Sequence, residues 1–223
     1  MRHRLSAAFA AILTLAPAAP ALAQSATAAL PPADLALVNK ATAYLNSLKD
    51  MQGRFEQVSP RGATSTGDLY LSRPGKARFQ YDPPSGLVVV ADGRRVSVSD
   101  SRLKTFNSAP LAATPLAVLL APRVRLDQDV DVTRVGRLRD GFYLTARKTS
   151  GQAQTEGSIT MEFGNDPVVL RGWTLVDGQG QATKVQVTGL KAQALDPNLF
   201  VLNDTRPADE NGQATKLKAA KGQ

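Results

Sequence analysis

Apolar and polar residues alternate with a period of two along most of this 223-residue chain, and that period constrains its fold more than any other feature. Successive side chains of a β-strand point to opposite sides, so the alternation specifies a sheet with one dry face and one wet face. In Ala77 to Asp82, the residues Ala77, Phe79 and Tyr81 fall on one side and Arg78, Gln80 and Asp82 on the other. Ile159, Met161 and Phe163 alternate in the same way with Ser158, Thr160 and Glu162. The pattern predicts strands over Arg54 to Ser59, Gly67 to Ser72, Ala77 to Asp82, Leu87 to Ala91, Val96 to Asp100 and Leu103 to Asn107. It resumes over Val130 to Leu138, Phe142 to Arg147, Gly157 to Phe163, Val168 to Val176 and Thr183 to Leu190. Asp92-Gly93, Asp140-Gly141 and Asp177-Gly178 join neighbours as turns. So many adjacent antiparallel strands predict a mainly β fold with a strongly bent sheet or barrel, because flat open sheets of that size are rare.

Two helices interrupt the strands. Ala33 to Asp50 spaces Leu35, Val38, Ala41 or Thr42, Leu45 and Leu48 by three and four residues, with Pro31-Pro32 before it and Asp34 in its first turn. Thr114-Pro115 opens a second, short helix through Leu116, Val118, Leu119 and Leu120, with Thr114 expected as N-cap, until Pro122 ends it. With two helices to cover the sheet and only 5% aromatic residues to fill it, the dry face suggests a cavity for something long and apolar. A packed core satisfies the same alternation, and composition does not choose between them.

The first 23 residues read as a secretory signal peptide. Met1-Arg2-His3-Arg4 is a basic start, an apolar run follows, Pro17 and Pro20 break it too early for a membrane span, and Ala21-Leu22-Ala23 is a small-residue cleavage site. Residues 24–32 are expected to be a flexible start, 33–203 the folded domain and 204–223 a disordered basic tail. The leader carries Arg2 and Arg4, so the remainder has 25 basic and 19 acidic residues, a formal +6. For an exported protein this charge points to anionic membrane or acidic protein surfaces rather than nucleic acid.

Export also removes the chain's single His, His3, and there is no Cys. Ser-His-Asp triads, thiol nucleophiles and the usual zinc sites therefore lack their residues, and no cofactor or metal is expected. No Cys follows the leader to take a lipid anchor. Ser101-Arg102-Leu103-Lys104 matches the S-x-x-K nucleophile pattern, but its partner motifs are absent and the segment looks strand-like, which would point Ser and Lys to opposite faces. A hydrolase built on paired carboxylates needs two acids converging in a cleft, whereas Asp and Glu here are scattered over turns and wet faces.

Several short segments, taken in order, resemble the periplasmic outer-membrane lipoprotein carrier family, LolA. They are Phe55-Glu56-Gln57, then Gly67-Asp68-Leu69-Tyr70-Leu71-Ser72-Arg73-Pro74-Gly75, Phe79-Gln80-Tyr81, Pro83-Pro84 and Val88 to Gly93. Thr114-Pro115-Leu116, the Gly157 to Phe163 strand and Leu199-Phe200 continue the order, so the likeness extends from about Ala33 to Val201. The resemblance implies an incomplete antiparallel β-barrel with an N-terminal helix and a short lid helix over an apolar hollow for acyl chains. It implies a soluble, monomeric periplasmic carrier and no enzyme. Its cargo would be acylated lipoproteins, handed over by an inner-membrane ABC-type transporter and received by an outer-membrane acceptor lipoprotein. The family's functional arginine falls on Arg73, where it would hold the lid by hydrogen bonds. A bulky aromatic often found four positions later in the family is Ala77 here.

The residues expected to line the hollow are those of the dry faces: Leu69, Leu71, Phe79, Tyr81, Val89, Val98, Met161, Phe163, Trp173 and Leu175. Arg73, Leu116, Leu119 and Leu120 are the expected lid residues. Leu87 to Ala91 is apolar at nearly every position, so its facing cannot be read. Exposed arginines such as Arg94, Arg95, Arg123, Arg125, Arg134, Arg137 and Arg139 offer a docking rim or simply a solvated one. The same fold could instead serve as a carrier of other lipids or glycolipids, an envelope-stress sensor or a structural envelope protein.

Overall fold

A computed structural model describes residues 30–126, 130–148 and 157–203, so the expected leader and basic tail lie outside the described residues. From Pro31 on the chain forms a compact unit of its own. Helix α1 spans Pro32–Ser47. It is followed by β1 (Asp50–Val58), β2 (Thr64–Ser72), β3 (Lys76–Tyr81), β4 (Leu87–Asp92), β5 (Arg95–Asp100) and β6 (Thr105–Pro110). A 3₁₀ turn at Leu111–Ala113 and helix α2 (Leu116–Leu120) come next. Then come β7 (Val130–Leu138), β8 (Gly141–Lys148), β9 (Ser158–Gly164), β10 (Leu170–Val176), β11 (Ala182–Ala192) and a 3₁₀ turn at Pro197–Phe200.

The strands make one antiparallel sheet in the order β6-β5-β4-β3-β2-β1-β11-β10-β9-β8-β7. Pairing of β1 with β11 joins the two ends of the domain in the middle of the sheet, while β6 and β7, consecutive in the chain, are its two unpaired edges. The sheet is curved and unclosed. Its curvature shows in one contact: the rings of Phe79 on β3 and Trp173 on β10 are 6.1 Å apart. Those strands are four places apart in the sheet, about 19 Å if it were flat.

Register fixes which residues share the concave face. Leu69, Phe79, Val89 and Val98 are successive cross-strand partners, and Leu71, Ala77, Ala91 and Val96 form the next row. Leu144, Met161, Trp173 and Val185 continue it on the other half. Phe55 lies between Gly67 and Val187. Its ring covers Gly67 so closely that a Cβ there would come within 2.6 Å of it and 2.2 Å of the Gln80 carbonyl oxygen. Gly67→Ala is therefore expected to destabilise the domain by about 2–3 kcal/mol, read as a lower midpoint in urea unfolding.

Four expectations need correction. The first helix ends at Ser47 rather than Asp50, and Leu35 is 40% exposed while Val38, Ala41, Leu45 and Leu48 are buried. Its first turn lies at the sheet edge, where Asp34 pairs with Arg137 of β7 at 2.8 Å, and Leu35 there stays partly open to solvent. The strand expected over Leu103 to Asn107 runs instead from Thr105 to Pro110, because the Asp100 side chain accepts hydrogen bonds from the Arg102 and Leu103 amides and turns the chain there. That turn, not a strand, carries Ser101 to Lys104. Thr114 does not cap α2: its hydroxyl donates to the Leu111 carbonyl, closing the preceding 3₁₀ turn.

The segment after β11 packs on the convex side, where the Pro197–Phe200 turn contacts β3 and β4. Arg78 donates to the Leu199 carbonyl at 3.0 Å, Lys76 sits 6.0 Å from the Phe200 ring centre, and Phe200 is buried. Val90, on the same convex row as Arg78, is 2% exposed.

Candidate functional site

The concave face is apolar and closed over by α1 and α2. Tyr81, Phe55, Phe79 and Trp173 form a run of edge-to-face aromatic contacts, with centroids 4.9, 5.3 and 6.1 Å apart. From α1, Tyr44 meets Phe163 edge-on, and Phe163 stacks on Phe142 at 5.2 Å. The one polar pair in this run is Tyr81, whose hydroxyl donates to Gln57 at 2.7 Å; burial pushes that phenol up to about 12.

Leu69, Leu71, Phe79, Tyr81, Met161, Phe163 and Trp173 are all buried on this face, as are Leu116, Leu119 and Leu120 beneath α2. Val89 and Val98 lie in the same row as Phe79 but are half-buried, since that row runs out toward the β6 edge. Leu175, opposite Ile159, is half-buried as well. Ala77 is fully buried between Leu71 and Ala91, at the place where the resemblance leads one to expect an aromatic ring. Phe55, Phe142 and Ile159 belong to the same face, with Tyr44 of α1 against it, and none of the four was among the expected lining residues. The alternation of Phe55 with Arg54 and Glu56 on β1 was the available signal for Phe55.

A cavity of about 130 Å³ lies beneath α2, lined by Ala117, Val118, Ala121, Val124 and Leu126 with Arg123 at its edge. Pockets that enclose a ligand measure roughly 300–1,000 Å³. An acyl chain would occupy this cavity only if α2 moved.

What holds α2 down is polar. Arg73, in the turn between β2 and β3, donates through one terminal nitrogen to the Leu45 carbonyl of α1 and through the other to the Ala121 carbonyl at 2.7 Å. The Gly75 amide donates to the Leu120 carbonyl at 2.9 Å. Asn46 brackets Val124, donating to its carbonyl and accepting from its amide, both at 2.9 Å. Arg73 Nε is buried with no partner, and burial draws the guanidinium below its ordinary pKa. The latch thus joins three segments far apart in sequence at one rim of the sheet.

The rim arginines Arg94, Arg95, Arg123, Arg134, Arg137 and Arg139 are exposed, with Arg95 bonded to Ser108 and Arg137 to Asp34. On the convex face Asp68 and Asp82 converge on Arg54, which donates to each at 3.0 Å. Hydrogen bonds from Arg54 and Thr66 hold the Asp82 carboxyl below the usual carboxylate range. Asp82 is thus held as the carboxylate and both acids are bonded to one arginine, so the pair reads as a charge cluster rather than a hydrolytic dyad.

The family model for "Outer membrane lipoprotein carrier protein LolA" matches residues 46–203. An outer-membrane lipoprotein carrier protein from Xylella fastidiosa (strain Temecula1) is 32% identical over 161 residues, covering 66% of this chain and 74% of that protein. One from Chromobacterium violaceum is 28% identical over 186 residues, covering 80% and 88%. Among solved structures, a LolA superfamily protein from Nitrosomonas europaea superposes with a TM-score of 0.44 at 11% identity, over 76% of this chain and 97% of that one. The chain belongs to the LolA family of outer membrane lipoprotein carrier proteins.

Proposed function

We propose that this protein is a LolA-type carrier that takes up the acyl chains of lipoproteins on its concave face and moves them across the periplasm. Leu69, Leu71, Phe79, Tyr81, Val89, Val98, Met161, Phe163, Trp173 and Leu175 would receive the chains, and Leu116, Leu119 and Leu120 would lift with α2. An inner-membrane ABC-type transporter would load the protein and an outer-membrane acceptor would empty it. Export, with cleavage after Ala23, would leave a soluble monomer.

The observation that carries this reading is an apolar concave face closed by a short helix that polar bonds tie down. The magnitudes favour opening by cargo. The latch comprises the two Arg73 bonds, the Gly75 bond and the Asn46 pair. At about 1 kcal/mol net for each neutral bond and about 1.5–3 for each guanidinium bond, it is worth under about 10 kcal/mol. Lifting α2 also exposes Leu116, Leu119 and Leu120, about 5–9 kcal/mol more, while burying one chain of a dozen carbons is worth about 10 kcal/mol at ~0.8 per CH₂ and a lipoprotein brings more than one chain. Cargo can therefore displace the latch, and the empty protein can close again. No nucleotide-binding loop occurs in the sequence, so the hand-over would run on differential affinity between carrier and acceptor.

Trp173 is the only Trp in the chain and is buried against Phe79, which makes it a built-in reporter. Titration with a diacylated lipopeptide is expected to change its emission saturably, whereas the same peptide without acyl chains leaves it unchanged. Equal responses to both would refute chain uptake on this face.

A further inference from the structure

The turn between β5 and β6 carries the most exposed large apolar side chain among the described residues, Leu103 at 71%. It stands between Arg102 and Lys104, both exposed. The turn that presents it is closely tied. The Asp100 carboxylate accepts from the Arg102 and Leu103 amides at 2.9 and 3.0 Å, and the Ser101 amide donates to the Gly86 carbonyl at 3.1 Å. The Arg102 guanidinium donates to the Pro84 carbonyl at 3.0 Å, so the turn between β3 and β4 props the tip. Lys104 closes it at a φ of 52°, the one positive value outside glycine among the described residues. An L residue adopts that conformation only at a cost, which the hydrogen bonds of the turn offset. Leu103 is therefore held outward by the fold.

A leucine between two cations on a projecting turn has the chemistry of a bilayer interface: the apolar side chain enters the acyl boundary while the cations stay among the headgroups. A stable protein interface needs about 800 Å² from each partner, more than one turn presents, whereas a bilayer takes up a single side chain. The charge around the tip suits an anionic surface. Arg61, exposed in the turn between β1 and β2, lies at the same end of the sheet. The acids nearby are engaged, Asp100 with the turn's own amides and Asp68 and Asp82 with Arg54. The tip also ends the concave face. Leu87, opposite Asp100, shares that side with Val89 and Val98, and all three are half-buried. A strip of partly covered apolar side chains thus leads from Phe79 to the foot of the tip.

We propose that this turn is a docking point for an anionic phospholipid bilayer, with Leu103 entering the acyl boundary and Arg102 and Lys104 engaging the headgroups, so that the protein meets the membrane at one end of its concave face. The inference goes beyond the carrier reading and does not depend on cargo being bound. One leucine and two cations make a weak contact, which leaves the protein free to diffuse between membranes.

The test is flotation of the cargo-free protein with phosphatidylcholine vesicles, with and without phosphatidylglycerol. The wild type is expected to bind the phosphatidylglycerol vesicles, and added salt should weaken that binding. Leu103→Ser should lower the affinity about tenfold or more, the loss of one buried leucine, with an unchanged midpoint in urea because the residue is exposed in the free protein. Lys104→Gln should lower it about fivefold on phosphatidylglycerol vesicles. In Leu103→Trp the added indole should be quenched by brominated phospholipid, whereas the buried Trp173 should not be. Wild-type binding equal to that of Leu103→Ser, or bound Leu103→Trp without quenching, would overturn the docking point in favour of a diffuse basic surface. No binding of the wild type to either vesicle would overturn it outright. The Trp173 response to a diacylated lipopeptide should be unchanged in Leu103→Ser, so the docking point and the carrier reading fail separately.

Discussion

Replacing Arg73 by Leu is expected to give a protein that loads with acylated lipoprotein and does not pass it on. In the closed, empty state Arg73 ties the end of α1 to the end of α2 through the carbonyls of Leu45 and Ala121. Those bonds exist only when the cover is shut, so their loss destabilises the product of release and leaves the loaded state unharmed. Charge-assisted hydrogen bonds are worth about 1.5–3 kcal/mol each, and part of that is offset because the variant no longer buries a guanidinium. A net loss of about 2–3 kcal/mol shifts the balance toward the loaded form by about 30- to 150-fold. Transfer to acceptor-bearing membranes should fall by a similar factor while uptake persists. Normal transfer by Arg73→Leu would remove Arg73 from the latch.

Fixing the cover shut should have the opposite effect and one at least as large. The chain has no Cys, so a pair introduced at Asn46 and Val124 is free of competing thiols. Asn46 already holds both backbone groups of Val124 at 2.9 Å, which places the two positions within reach of a short thiol crosslinker. The crosslinked protein should take up no lipoprotein and show no Trp173 response, because the remaining space beneath α2, about 130 Å³, is too small for an acyl chain. Reduction should restore both. Uptake by the crosslinked form would mean that chains enter by another route, such as the open side between β6 and β7.

Much of this architecture is legible in the sequence because period-two alternation is a local signal. Ala77, Phe79 and Tyr81 were assigned to one face from spacing alone, and Met161 and Phe163 likewise, and all are buried there. Legibility fails where a strand is covered on both sides. In Leu87 to Ala91 every residue is apolar, with Val89 facing the concave side and Val90 the convex side, where the Pro197–Phe200 turn packs more than a hundred residues later. It fails also where a side chain overrules the local pattern, as Asp100 does by turning the chain before β6. The latch was legible only in part. The resemblance marked Arg73, but its partners Leu45 and Ala121, and the Asn46–Val124 bracket 78 residues apart, follow from tertiary contacts that no short motif records.

The same physical reasoning explains why α2 closes onto the concave face. An apolar cavity large enough for acyl chains would leave its lining without contacts or filled with water, at a cost that grows with its volume. Closing α2 onto the concave face lets Leu116, Leu119 and Leu120 be buried there instead. On this account the cover is a stand-in for cargo, and the latch sets how readily one replaces the other.

The most direct test of the carrier reading is native mass spectrometry of the protein taken from its own cell envelope, wild type and Arg73→Leu side by side, with identification of whatever travels with it. The account predicts acylated lipoproteins bound to the protein, enriched in the Arg73→Leu variant. Free phospholipid or glycolipid alone in both samples, or an empty mass even for Arg73→Leu, would contradict it.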